Sequence, residues 1–331
     1  MPSAHGEASS DRLAVAPDGR IPVTLLTGYL GSGKTTVLGH LLKSPKLART
    51  AVIINEFGEI GIDHDLVEAG SEKLVNLPGG CVCCSVRSDL ADTLRGLFQR
   101  RVRGQVEEFG RVVIETTGLA DPAPILQTLI TDPLLSARFR LDGVVATVDA
   151  VNGWNTLNLE EEAVKQAAFA DRLLLTKTDL AGRDAVAALT RRLPDLNPAA
   201  PISRIMDGVV DPVTLFGVGP IDRVAASEET HDHRHDDHIQ SFSVTRDQPV
   251  TPAQLAHWLE RLREIAGVGL LRVKGLVNVA ERTGPTVIQG VQHIFSLPVE
   301  LLVWPSEDRR TRVIFIGRNL DEQAIRDTLI E

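Results

Sequence analysis

An apolar run, Ile21–Thr27, leads into Gly28-Tyr29-Leu30-Gly31-Ser32-Gly33-Lys34-Thr35, and a helical pattern, Thr35–Leu42, follows at once. This strand, glycine-rich loop and helix constrain the fold more than any other feature of the chain. Glycines let a backbone turn tightly and point successive N–H groups at one anion, and the helix behind them adds its positive end. Gly-x4-Gly-Lys-Thr in this context is a phosphate-binding loop, and it requires a buried strand before it and a sheet-packed helix after it. Gly28, Gly31, Ser32 and Gly33 are expected to cradle phosphates. Lys34 is expected to reach the β and γ phosphates, Thr35 to hold Mg²⁺ and Thr36 to touch the α phosphate.

Short runs rich in Val, Ile and Leu recur at Ala51–Asn55, Arg111–Glu115, Gly143–Val148 and Arg172–Thr176. Crossover helices fit between them, at Ser88–Arg101, Ala123–Ile130 and Glu160–Phe169. Unbroken apolar runs mark strands buried on both faces. The alternation predicts an α/β domain over residues 21–205, with a doubly wound, mostly parallel sheet and ligands at the carboxyl ends of its strands. Residues 1–20 are polar and read as a disordered tail, and residues 206–238 read as a linker. Residues 239–331 predict a smaller α+β domain. Its strands are Ile239–Thr245, Leu270–Val279, Thr286–Phe295 and Arg312–Ile316, forming an antiparallel sheet with helices on one face. One helix runs from Thr251 to about Ala266, with Thr251 as N-cap and Pro252 at the first helical position, and another begins near Asp321.

With 331 residues, 43% of them hydrophobic, the chain can build two cores, and only 4% are aromatic, so aliphatic side chains must fill them. A net charge of −9 argues against nonspecific nucleic-acid binding, which needs basic surface. No apolar run reaches the roughly 18 residues of a membrane span, and the N-terminus lacks the apolar segment of an export signal. The expected compartment is the cytoplasm, where clustered cysteines bind metal or do redox work more often than they form structural disulfides.

Further site residues follow from strand ends. Arg111-Val112-Val113-Ile114 closes on Glu115-Thr116-Thr117-Gly118, which places a Mg²⁺-binding carboxylate at Glu115 and a γ-phosphate-sensing glycine at Gly118. The next residue is Leu119, so no glutamine follows to orient a water. Glu56, Glu115 or a partner's residue could act as the hydrolytic base. Leu173-Leu174-Leu175 leads into Thr176-Lys177-Thr178-Asp179, where GTPases use Asn-Lys-x-Asp. Asp179 would accept the two N–H donors of guanine and Lys177 would pack over the base. Thr176 is too short for both amide contacts of the usual asparagine.

All three cysteines fall within four positions, Cys81-Val82-Cys83-Cys84, directly after Pro78-Gly79-Gly80. Thiolates bind Zn²⁺ and Cu⁺ strongly. The glycines suggest a loop that exposes several sulfurs, and an incomplete ligand set suits delivery better than structure. A redox dithiol is the other functional reading, although Cys81-x-Cys83 lacks the usual two-residue spacer. Glu56 and Glu59, in Asn55-Glu56-Phe57-Gly58-Glu59, are candidate outer ligands or Mg²⁺ partners. His231, His233, His235 and His238 alternate with aspartates and form a candidate accessory metal-collecting run.

These motifs together resemble the CobW family of P-loop GTPases, related to the nickel-insertion GTPases of urease and hydrogenase. The resemblance rests on Leu26–Thr36, Asn55–Glu59, Gly80–Cys84 and Glu115–Pro122, and in the C-terminal half on Leu271-Arg272-Val273-Lys274-Gly275 and Gln289-Gly290-Val291-Gln292. It implies a cytoplasmic metallochaperone that hydrolyses GTP with Mg²⁺, binds Zn²⁺, Co²⁺ or a similar ion, and passes it to a client metalloenzyme. A link to cobalamin synthesis and a homodimeric assembly are within its scope. The chain departs from the pattern at Thr176, and at Ile54, where some relatives carry an acidic residue. A metal-sequestering protein with a vestigial GTPase, or a small-molecule kinase or ATPase, are the competing readings.

Overall fold

The computed structural model describes residues 19–55, 74–77, 81–86, 90–216, 239–266 and 269–330. Residues 1–18 of the expected tail, Glu56, Glu59 and the histidine run lie outside the described residues; Arg20, at its end, donates to the Ser136 carbonyl (3.4 Å).

Eight described strands form the first sheet: β1 (Ile21–Gly28), β2 (Thr50–Asn55), β3 (Leu74–Leu77), β4 (Cys81–Val86), β5 (Arg111–Glu115), β6 (Phe139–Asp149), β7 (Arg172–Thr176) and β8 (Ile202–Arg204). Their order is β3-β4-β2-β5-β1-β6-β7-β8, and only the β3–β4 pair is antiparallel. The parallel strands are joined through α1 (Lys34–Leu42), α2 (Leu90–Val102), α3 (Pro122–Thr131), α4 (Pro133–Arg138), α5 (Gly153–Leu159), α6 (Glu161–Phe169) and α7 (Arg183–Leu196), with a short α8 (Pro212–Leu215) after β8. Successive strand residues face opposite layers. Leu25 packs in the core built with α2 to α7, and its neighbour Leu26 packs in the core built with α1 and α8. This is the doubly wound sheet expected from the apolar runs.

The structure departs from the sequence reading at several places. β6 begins four residues earlier than its apolar run, because Arg111 on β5 donates to Asp142 (2.5 Å) inside the protein and so neutralises a charge that interrupts the pattern. The cysteines, expected in an exposed loop, form strand β4 between β2 and β3. Val82, Cys83, Cys84 and Val86 are small or β-branched and complete one more apolar strand. Thr286–Phe295 is a hairpin rather than one strand, with Gln292 at φ 53° in its turn. Within the expected linker, Leu215 and Phe216 are buried against α1.

The second sheet contains β9 (Ile239–Arg246), β10 (Leu270–Val277), β11 (Thr286–Val291), β12 (Ile294–Phe295) and β14 (Thr311–Arg318) in the order β12-β11-β10-β14-β9, and β13 (Val299–Glu300) pairs with β11. All of these pairings are antiparallel. Helices α9 (Pro252–Ala266) and α10 (Glu322–Ile330) cover one face. Thr251 and Gln254 start α9 with a reciprocal capping box: each backbone N–H donates to the other's side chain, at 2.9 and 3.2 Å.

The other face of this sheet docks on the first domain. Ile239, Leu271, Val291, Ile314 and Ile316 join the core of α2 to α7, while their strand neighbours Leu270, Val313 and Phe315 join α9 and α10. At the centre Asp171, at the start of β7, receives Arg272 Nη2 (3.2 Å) and Lys274 Nζ (2.6 Å), with all three side chains buried. The same carboxylate accepts the Val144 N–H (2.8 Å). Gln127 on α3 donates to Gln292 (2.6 Å), and Gln289 accepts from Arg272 (3.3 Å). Arg272, Lys274, Gln289 and Gln292, all read from the C-terminal motifs, thus make the seam between the domains. No helix among the described residues is long and apolar enough to cross a membrane.

Candidate functional site

β1 delivers the chain to the phosphate loop at the middle of the sheet, next to β5 and β6. Gly28 sits at φ 140°, and a Cβ there would lie 2.2 Å from Thr147 Oγ1 and 2.7 Å from Ser32 Oγ, so only glycine fits. Gly33 is left-handed (φ 92°) and caps α1 without a side-chain hydrogen bond, which keeps the first N–H groups of the helix for an anion. The Ser32 and Thr147 hydroxyls are hydrogen-bonded at 2.6 Å and tie the loop to β6. Lys34 Nζ donates to the carbonyls of Gly28 (2.7 Å) and Tyr29 (3.0 Å). Burial lowers the Lys34 pKa, against the attraction of Glu115, which raises it.

β5 ends beside this loop. Thr35 Oγ1 donates to Glu115 Oε1 (2.8 Å), although the two residues are 80 positions apart. A hydroxyl and a buried carboxylate at a phosphate loop are a hard oxygen pair, and that donor set fits Mg²⁺. Thr116 locks the strand end in place: its N–H donates to the Leu26 carbonyl (3.0 Å) and its hydroxyl to Thr27 Oγ1 (2.9 Å). Gly118 then passes so close to the phosphate loop that a Cβ would lie 2.6 Å from the Leu30 nitrogen.

At the end of β7, Thr176 is buried and its hydroxyl faces the carbonyls of Ser32 (2.7 Å) and Val148 (3.2 Å). A single hydroxyl proton cannot also serve a base, so Thr176 holds the phosphate loop from below. Lys177 takes the left-handed region (φ 54°) and pairs with Asp149 (2.8 Å) at the end of β6. Burial pushes the Asp149 carboxyl up, but Lys177, the Val151 N–H and the Asn152 amide together hold it below its ordinary value. Asp179 is exposed on the turn that follows. The Thr178 hydroxyl donates to the Ile205 carbonyl (3.1 Å), and Gly208 rests on Thr36 and His40, which brings the 205–208 turn to the same edge.

The cysteine strand lies two strands from this centre. Cys84 is in register with Ile53 of β2, and Ile53 with Ile114 of β5, the residue before Glu115. Two strand spacings amount to about 10 Å. Asn55 ends β2 between these strands, and Glu56 and Glu59 follow it in the chain.

Several site residues carry no motif. Thr147 and Asp149 end the apolar run of β6, and a polar residue at a parallel strand's carboxyl end is the signal that marks them. Gln166 sits on the apolar face of α6 among Ala163, Ala167 and Ala168, and its amide reaches the carbonyls of Gly118 and Ala120. A cavity of about 110 Å³ separates the loop from α5 and α6, lined in part by Tyr29, Ser32, Asp149, Asn152, Gln166 and Lys177.

Residues 22–204 match the CobW/HypB/UreG nucleotide-binding domain, and residues 239–331 match the cobalamin synthesis protein cobW C-terminal domain. This chain belongs to the CobW family. It is 37% identical to the zinc chaperone YjiA of Escherichia coli strain K12, across 92% of this chain and 96% of that one. It is 30% identical to the zinc chaperone CobW of a Sinorhizobium species, across 95% and 97% respectively. Its fold is similar to the crystal structure of Zn(II)-bound YjiA GTPase from E. coli, with a TM-score of 0.75 at 37% identity, covering 94% of this chain and 98% of that one. This chain thus pairs a nucleotide-binding domain with a second domain.

Proposed function

We propose that this CobW-family chain is a GTP-hydrolysing metallochaperone that carries Zn²⁺, or Co²⁺ or a similar ion, on Cys81, Cys83 and Cys84 and releases it to a client metalloenzyme. The observation that carries this reading is the register of β4, β2 and β5, in which Cys84 lies two strand spacings, about 10 Å, from Ile114, the residue before Glu115. The relatives named as zinc chaperones, and the Zn(II)-bound YjiA GTPase, support zinc as cargo and GTP as substrate.

In this reading Gly28, Gly31, Ser32, Gly33 and Thr36 hold the phosphates. Lys34 leaves its carbonyl partners for the β and γ oxygens, an exchange its lowered pKa makes less costly. Mg²⁺, when bound with GTP, neutralises phosphate charge, and Thr35 and Glu115 are its protein ligands. Gly118 meets the γ phosphate. Lys177 and Asp179 read guanine, with Thr176 supporting the loop beneath them. Glu56 and Glu59 complete the metal site from the end of β2, and His231, His233, His235 and His238 collect ions for it. The protein works in the cytoplasm, and a homodimer is one form in which it could meet its client.

The test is direct: the purified chain should bind Zn²⁺ and turn over GTP, and Cys83→Ser with Cys84→Ser should lose the metal while GTP still binds. A chain that binds Zn²⁺ but never hydrolyses GTP would be a sequestering protein instead. Base selectivity has its own expected outcome. Two hydrogen bonds to a charged acceptor contribute roughly 1.5–3 kcal/mol each. Asp179→Ala is therefore expected to weaken GTP by roughly 100- to 10,000-fold and leave ATP unchanged, read by competition of the two nucleotides for the same site.

A further inference from the structure

We infer that Gln166 is a positioning residue for GTP hydrolysis, setting the Gly118–Ala120 loop against the phosphate loop. The inference rests on the reading of Gly118 as the residue that meets the γ phosphate. Gln166 is 1% exposed, and its Nε2 donates to the Gly118 carbonyl and the Ala120 carbonyl, both at 3.0 Å. An amide nitrogen has two protons, and both are committed to this one loop. Its Oε1 is buried with no hydrogen-bond partner among the described residues, so nothing else dictates the orientation of the amide.

Geometry leaves the loop little room on its other side. Gly118 is in contact with the Leu30 backbone, and Leu119, between the two bonded carbonyls, is 55% exposed. The loop therefore lies between the phosphate loop and one buried amide. Any shift at Gly118 when a γ phosphate arrives must either break the Gln166 bonds or move α6.

α6 is in turn tied at other points. Lys165 pairs with Asp121 (3.7 Å), just after the loop, and with Glu161 (3.0 Å). Glu161 accepts from Arg318 on β14 of the second domain (2.6 Å). Gln166 thus sets the loop from a helix that both domains hold, which is the arrangement a positioning group needs.

The test uses the full chain with Gln166→Leu, which keeps the volume and removes both donors, and with Gln166→Glu. GTP affinity, kcat and KM are measured per bound nucleotide, so that partial unfolding does not count as lost rate. The expected result for Gln166→Leu is kcat lowered about 10–100-fold with KM changed less than about threefold. Gln166→Glu presents a carboxylate to two carbonyls at neutral pH. Its rate relative to the unsubstituted chain should rise as pH falls and the carboxyl gains a proton to donate, and Gln166→Leu should show no such rise. If Gln166→Leu fails to fold, the pH profile of Gln166→Glu alone decides. An unchanged kcat, an equal loss of GTP binding, or a flat Gln166→Glu profile would overturn the inference. Hydrogen exchange at the Gly118–Ala120 amides separates the two ideas: if a nonhydrolysable GTP analogue protects them no more than GDP does, the γ-phosphate reading fails; if it protects them while Gln166→Leu leaves kcat unchanged, only the role of Gln166 fails.

Discussion

Glu115→Gln is expected to lower GTP turnover on the order of 100–1,000-fold while GTP binding changes by less than about tenfold. Glu115 is buried at the end of β5, and its Oε1 accepts the Thr35 hydroxyl at 2.8 Å. Glutamine has the same shape, and its own oxygen can still accept from Thr35, so the loop is retained. What disappears is the negative charge that would face Mg²⁺. Charge developing on the phosphate oxygens is offset most where donors and cations are already in place, so losing one fixed partner falls on the rate more than on ground-state binding. The measurement is kcat and KM over a range of Mg²⁺ concentrations. Turnover that is unchanged and equally sensitive to Mg²⁺ would remove Glu115 from the site.

The second large effect is on stability. Asp171→Asn should destabilise the chain by roughly 3–5 kcal/mol, because it removes the buried carboxylate charge that Arg272 and Lys274 share. A fall in Tm of roughly 4–7 °C is the readout. GTP binding should survive, since Asp171 lies at the start of β7 and the nucleotide residues lie at its other end. The pH dependence has a definite sign. Burial pushes the Asp171 carboxyl up, but Lys274, Arg272 and the Val144 N–H outweigh burial and hold it below its ordinary value. A carboxylate whose pKa is depressed on folding contributes its full stability above the unfolded value, near 4, and loses it as pH falls through the folded value. The gap between the unsubstituted chain and Asp171→Asn should therefore be constant near neutrality and narrow only below about pH 4.

The fold was legible where local pattern and burial agree. β5 and β7 occupy the residues of their apolar runs, Arg111–Glu115 and Arg172–Thr176, because each is buried on both faces and bounded by polar turns. The apolar run Gly143–Val148 is shorter than β6 because Asp142 interrupts the pattern, and its partner Arg111 lies 31 residues away. The phosphate loop is contiguous, so spacing alone reveals it. Its supports are not contiguous: Thr147 bonds Ser32 from 115 residues downstream, and Gln166 bonds the Gly118 carbonyl from 48 residues downstream. Thr147 and Asp149, at the carboxyl end of an apolar strand, carry a visible signal, and Gln166 carries none. Thr176 shows the same limit, since its shortness as a base ligand could be read from the motif but its bond to the Ser32 carbonyl could not. The C-terminal motif residues were recognisable as a pattern, yet their purpose as a seam appears only when β10 and β11 lie against β7 and α3.

The central claim is that nucleotide and metal sites act on each other across β5, β2 and β4. Coupling between two binding sites is reciprocal: if GTP alters metal affinity, metal alters GTP affinity by the same factor. The measurement that tests it is a Zn²⁺ titration of the full chain with and without a nonhydrolysable GTP analogue and Mg²⁺, paired with the converse titration of the analogue with and without Zn²⁺. The account predicts that both affinities shift by one common factor, about 5–150-fold, and that Cys83→Ser with Cys84→Ser abolishes the shift. Identical Zn²⁺ affinities in the two nucleotide states would contradict it.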